Sequence, residues 1–225
     1  MHLIVVGINH RTAGVDIRGK FYFSEDMIRD ALPTLKAYDS IIGTVILSTC
    51  NRTEIYASAN SIEHGLKDLT AFLCTNKGVS THEITPYIYT LNCREAVLHL
   101  FKVASGIDSM VLGEYQIQRQ LRDAYCLATA MESTDSYINK VFQYAISTGK
   151  RVRSETKIGR GSLSVANLAI ELIKKVYSTQ QQLSLLVVGA GKMAHLVASN
   201  LHDICLLYTS PSPRDRTRSR MPSSA

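Results

Sequence analysis

At 225 residues, with 45% hydrophobic and 20% charged side chains, the chain has an ordinary globular composition and room for one large domain, or one domain and part of another. No apolar run approaches the length of a membrane span, and the opening MHLIVV is too short for a signal peptide and lacks its basic flank. The formal charge of +6 is a mild excess, half of it from four arginines against one aspartate in the last twenty residues, so overall charge points only faintly to nucleic acid.

Residues 2–9 read as a first strand, followed by a loop holding Arg11 and Arg18. Ser24 can cap a helix that opens on Glu25 and Asp26, acids where the dipole favours them, and runs to about Tyr38. Residues 43–49 and 53–59 form two strands around a polar turn. A helix over 62–76 and a strand near 87–91 come next, then a helix that Asn92 and Glu95 open in a capping-box pattern. From Tyr115 to about Glu155 the pattern is mostly helical, with Ile117, Leu121, Ala124, Tyr125 and Ala128 at helix spacing. This order predicts an α+β domain over residues 1–157.

Residues 158–204 read as the opening of an α/β, Rossmann-type unit. Val165–Tyr177 is an amphipathic helix and Leu183–Val188 a buried strand; Gly189, Ala190, Gly191, Lys192, Met193 and Ala194 then form a GxGxxA turn, with a helix from Lys192. Small residues let the backbone approach a pyrophosphate, whose charge sits at a helix N-terminus. The strand before and helix after favour dinucleotide binding over a plain tight turn. From Cys205 the periodicity stops, and three of the five prolines fall in the remainder. Composition reads residues 205–225 as a disordered tail. CLLYTSPSPRD and SRMPSSA resemble translated sequencing-adapter DNA, so the tail is read as non-native and its arginines as carrying no function.

The chemistry centres on LSTCNRTEIY, Leu47 to Tyr56. Cys50 sits at a strand end, and Arg52, two residues on, would favour thiolate over thiol, the nucleophilic form. A lone cysteine at a strand end is more often buried filler, since free Cys is among the most buried residue types. Five cysteines, an odd number without a CxxC pair, argue against a disulfide framework and for a reducing cytoplasm, and no His/Cys/Asp spacing suggests a metal. Lys150, Arg151, Arg153, Lys157 and Arg160 form a basic cluster, either a phosphate-contacting patch or a solvated helix face.

LSTCNRTEIY resembles the active-site segment of the glutamyl-tRNA reductases. GINHRTA (Gly7 to Ala13), SMVLGEYQIQRQ (Ser109 to Gln120), IGRGSLSV (Ile158 to Val165) and VVGAGKMA (Val187 to Ala194) fall in family order and spacing, so the likeness covers about residues 1–204. Gly14 and Gly19 depart from it, where the family usually has Pro and Glu; both loosen that loop.

The resemblance implies that Cys50 attacks the ester joining glutamate to the 3′ end of tRNA(Glu). Hydride from NADPH then takes the thioester through a thiohemiacetal to glutamate-1-semialdehyde, the first step of the five-carbon route to tetrapyrroles. It makes Thr49, Asn51, Arg52, Ser109, Glu114, Tyr115, Gln116 and Gln120 substrate-binding residues, with Arg52 suited to a carboxylate and Glu114 to the α-ammonium. His99 matches the family's important histidine, with acid–base help or a satisfied core histidine as its two readings. His10 would structure the loop beside the site, while His64 and His82 look like surface residues. Gly189 to Ala194 would bind NADPH. The family adds a homodimer, whose helical dimerisation domain is missing here, and docking with glutamate-1-semialdehyde aminomutase. Two other readings stay open for the chain as written, a non-catalytic tRNA-binding fragment and a Cys50-dependent glutamyl-tRNA deacylase. A cysteine hydrolase for another acyl substrate is disfavoured by the glycine turn.

Overall fold

The computed structural model describes residues 1–158 and 165–177, with single positions as far as residue 199. The chain divides into two compact units, Met1–Ser162 and Leu163–Ala225.

In the first unit β1 (His2–Asn9), β2 (Ile41–Ser48), β3 (Arg52–Ala59) and β4 (Tyr89–Asn92) form one antiparallel sheet in the order β2-β3-β1-β4. Antiparallel sheets commonly leave one face wet, yet every residue of β3 is buried. Helices explain this by covering both faces. α1 (Val15–Phe21), α2 (Glu25–Lys36) and α3 (Ile62–Lys77) pack on one side, with the single turn α4 (Thr81–Ile84) against α3. α5 (Cys93–Ala104), α6 (Gln116–Ala130) and α7 (Ser136–Glu155) pack on the other and against one another. Ile4, Ile55, Leu69 and Phe72 belong to the first layer of core, Leu3, Val5, Leu100 and Phe142 to the second.

Ser24 caps α2 through Met27 N–H, as its spacing predicts. Three local expectations change. Val15–Phe21 is a helix, not a loop: Asp16 lies in its first turn, Arg18 and Lys20 in its last, and buried Phe21 anchors its end. Asn92 makes no side-chain cap, because it is still the last residue of β4, paired with Ile4. The capping box lies instead at Ser80 and Glu83. The helical stretch from 115 is two helices, parted where Ser133 binds the edge strand: Thr44 N–H donates to Ser133 O at 2.7 Å, and the two hydroxyls meet at 2.7 Å.

In the second unit the amphipathic helix is present as α8 (Val165–Val176). The expected buried strand is not seen at its described positions, where Leu186 and Val188 are 74% and 87% exposed and outside any strand. A strand is buried only when neighbouring strands and helices cover it, and no such cover is present at these two residues. Gly189 has φ +114, and His195 N–H donates to Gly191 O at 3.1 Å, one helical turn beyond the glycines. Ala190, Lys192, Met193, Arg160 and the tail 205–225 lie outside the described residues.

Candidate active site

The β2–β3 turn is built by Thr49. Its hydroxyl accepts from Asn51 N–H at 3.2 Å and Arg52 N–H at 3.1 Å, and its own N–H donates to Arg52 O at 2.8 Å. Two residues from the β1–α1 segment fasten the turn from outside. His10 N–H donates to Asn51 O at 3.0 Å, and Arg18 Nε to Cys50 O at 3.3 Å. Cys50 itself is exposed. A thiol at a strand end is thus presented to solvent on a backbone held from both sides, which removes the buried-filler reading.

Behind the thiol, strand alternation turns Arg52, Glu54 and Tyr56 onto the α5–α7 face. Arg52 is 2% exposed and Glu54 fully buried. Arg52 Nη1 donates to Glu54 Oε1 at 2.7 Å and to Asp108 Oδ2 at 3.0 Å, and Nη2 donates to Asp108 O. Glu54 also accepts from the hydroxyls of Tyr56 and Tyr89 and pairs with His99 Nε2 at 3.0 Å. Gly7 of β1 stands between Glu54 and Tyr89 in register. A Cβ there would lie 2.7 Å from the Tyr89 ring and hydroxyl and 2.9 Å from Glu54, so only glycine lets Tyr89 cross β1 to reach the carboxylate.

Burial resists ionising Glu54, but Arg52 and then His99 outweigh it and hold the carboxyl well below its ordinary value. Burial also acts against the Arg52 charge, which Glu54 more than restores. Tyr56 and Tyr89 are pushed up by burial and by the Glu54 charge, so both stay protonated donors. The Arg52 guanidinium is therefore already compensated by Glu54 and Asp108. It is a buried structural cation as well as a pocket residue, not a free polarising charge, and its ion pair with Glu54 is a buried one.

The opposite wall comes from the α5–α6 loop and the start of α6. Arg153 Nη2 donates to Gly113 O at 3.0 Å and holds that loop to α7. Gly113, at φ +78, lies against Ile158 O too closely for any side chain. Thr49, Cys50, Asn51 and Arg52 meet Ser109, Glu114, Gln116 and Gln120 across an open cleft of about 320 Å³, solvent at its mouth included, with Met110 and Ile117 as apolar lining. Burial raises the Glu114 pKa, partly offset by Arg52. Ser109 Oγ is buried without a hydrogen-bond partner among the described residues.

Two expected residues are not in this cleft. Tyr115 is 50% exposed at the N-cap of α6 and does not line it. His99 is largely buried, with Tyr56 stacked at 6.5 Å and Tyr89 edge-on at 5.6 Å, and among the described residues it connects to the turn through Glu54 and Arg52. Glu54, Tyr56, Tyr89, Asp108 and Gly7 were not among the site residues expected from the sequence. The available signal was an acid in the middle of a strand too apolar to have a wet face.

The fold and the cleft define a class, an α+β domain that presents an exposed thiol at the mouth of a polar pocket. The profile of one family, described as glutamyl-tRNAGlu reductase, N-terminal domain, matches residues 6–156. The chain belongs to the glutamyl-tRNA reductase family. It is 44% identical over 201 residues to the glutamyl-tRNA reductase of Carboxydothermus hydrogenoformans and 46% identical over 201 residues to that of Pelotomaculum thermopropionicum, each alignment covering 89% of this chain and 45% of the relative. The solved glutamyl-tRNA reductase from Methanopyrus kandleri is similar with a TM-score of 0.62 and 36% identity, over 89% of this chain and 46% of that one. The chain thus spans a little under half the length of the curated relatives it matches.

Proposed function

We propose that this chain carries the substrate-binding and thioester-forming part of an NADPH-dependent glutamyl-tRNA reductase. The observation that carries the reading is the exposed Cys50 at the tip of the β2–β3 turn, facing Ser109, Glu114, Gln116 and Gln120 in one cleft. The Cys50 sulfur attacks the ester carbonyl of glutamyl-tRNA(Glu), the bond to the terminal ribose oxygen breaks, and the thiol proton ends on that oxygen. The products are a glutamyl thioester and free tRNA. Thr49 and Asn51 keep the turn in place. The glutamyl group lies in the cleft, its ammonium toward Glu114, its carboxylate toward Arg52, and a hydrogen-bonding group at Ser109 Oγ. His99 is a positioning residue that acts through Glu54.

Gly189 to Ala194 would hold NADPH. Among the described residues nothing lies within 4 Å of a Cβ built at Gly189 or Gly191, and the positive φ at Gly189 suits a turn whose backbone approaches a pyrophosphate. When bound, NADPH supplies the hydride that takes the acyl group to glutamate-1-semialdehyde, the entry to tetrapyrrole synthesis.

The test follows labelled glutamate on glutamyl-tRNA incubated with the 225-residue protein in the absence of NADPH. Loss of label from tRNA, part of it trapped on protein, should require Cys50 and vanish in Cys50→Ser. Equal loss with Cys50→Ser would end the thioester reading.

A further inference from the structure

We propose that Arg18, at the outer rim of the Cys50 turn, binds the phosphodiester on the 5′ side of the nucleotide that carries the acyl group. This rests on the thioester reading above. Three guanidinium groups converge on the turn, and their partners differ. Arg52 is neutralised by Glu54 and Asp108, and Arg11 pairs with the other oxygen of Asp108 at 2.9 Å. Arg18 has no carboxylate partner among the described residues. Its Nε donates to Cys50 O at 3.3 Å and its Nη1 to Ala13 O at 2.7 Å. Two backbone carbonyls therefore aim the fork without cancelling its charge, and the remaining donors are left for an anion.

The His10 ring supports the same picture. Burial first, then Arg52, Arg11 and Arg18, lower its pKa against the opposing pull of Asp108, so an uncharged imidazole sits where the three cations meet. The neutral ring adds no further positive charge, and the excess at the rim belongs to Arg18.

Position selects the anion. Arg18 is not among the residues that line the cleft, so it cannot be the partner of the glutamyl side chain that enters it. What remains outside when the ester carbonyl reaches Cys50 is the terminal ribose and the phosphodiester one sugar away. A guanidinium fork matches phosphate oxygens in pairs. Arg18 then orders the end of the polynucleotide so that the ester meets the thiol, and the catalytic step draws on binding energy from a non-reacting part of the substrate.

The experiment measures Cys50 acylation in the 225-residue protein with two donors, glutamyl-tRNA and 3′-O-glutamyladenosine, which carries the same ester without a phosphate. Arg18→Gln should slow acylation by glutamyl-tRNA about tenfold, as for loss of one charge-assisted contact. It should also flatten the dependence of log rate on log salt by about 0.7, the increment for one phosphate of a single strand. With glutamyladenosine the loss should be clearly smaller, since there only the Arg18 bond to Cys50 O is at stake. Arg18→Lys should restore the salt dependence and part of the rate. Equal losses on both donors would overturn the proposal, since Arg18 would then only brace the Cys50 turn; no loss on either would do the same. Salt-dependent binding of glutamyl-tRNA to Cys50→Ser protein, with and without Arg18→Gln, reads the phosphate contact without chemistry. A wild-type protein that fails to acylate therefore refutes the thioester reading while this arm still decides the present one.

Discussion

The two faces of β3 carry opposite kinds of interior. Toward α1 and α3 the strand presents Ile55, Ala57 and Ala59, side chains that pack by shape, with the Thr53 hydroxyl at its start bonded only to the neighbouring Ser48 hydroxyl among the described residues. Toward α5–α7 it presents Arg52, Glu54, Tyr56 and Ser58, equally buried but held by directed bonds. An alternation of two lets one eight-residue strand serve both. The difference lies in tolerance. An apolar contact can be trimmed at modest cost, whereas a buried charge that loses its partner cannot be rehydrated.

Substitution at Glu54 should break the polar face most severely. Glu54→Gln keeps the volume but leaves Arg52 with Asp108 alone, and should cost about 3 kcal/mol or more in urea unfolding, against roughly 1 kcal/mol for Ile55→Val on the other face. Comparable losses for the two would mean that the polar network contributes no more than ordinary packing.

Gly7→Ala should come next, at about 1–3 kcal/mol, because the new Cβ meets the Tyr89 ring at 2.7 Å. In a double-mutant cycle with Tyr89→Phe the two effects should fail to add, since both loosen the same bond to Glu54. Additive losses would place the clash elsewhere.

Acid should distinguish the faces as well. The Glu54 carboxyl is held below its ordinary 4.5, so its contribution to stability is fully present above that pH and is lost as pH falls toward the folded value. Wild-type stability should therefore decline below about pH 5, and the Glu54→Gln protein should show a shallower acid limb. Parallel acid limbs would assign the decline to other carboxyls.

The smallest effect should come from Gly19→Ala in α1. Nothing lies within 4 Å of the added methyl, so the exchange should raise stability by about 0.5–1 kcal/mol through helix propensity, read as a shift in the urea midpoint. A decrease would show that α1 needs the freedom of glycine at this point.

The most legible parts of the sequence were those where one local rule acts alone. Ser24 before Glu25 and Asp26 marked the start of α2, and Gln116 and Gln120, four apart, fell together on the cleft wall. The capping pattern at Asn92 misled because sheet pairing had already claimed that residue. Arg52 misled for a similar reason: nearness in sequence to Cys50 said nothing of Asp108, which reaches it from the α5–α6 loop.

The order of the four strands with α2, α3 and α5 in the first unit, the place of the thiol on a turn, and the motifs that carry the family likeness follow from the chain read by itself, because periodicity, caps and turns are short-range physics. Which face of β3 is charged, that Tyr89 crosses Gly7 to Glu54, that Arg52 is neutralised, and that Arg18 is not, were decided only by tertiary structure. These depend on partners tens of residues apart, and a charge acquires its meaning from the groups folded against it.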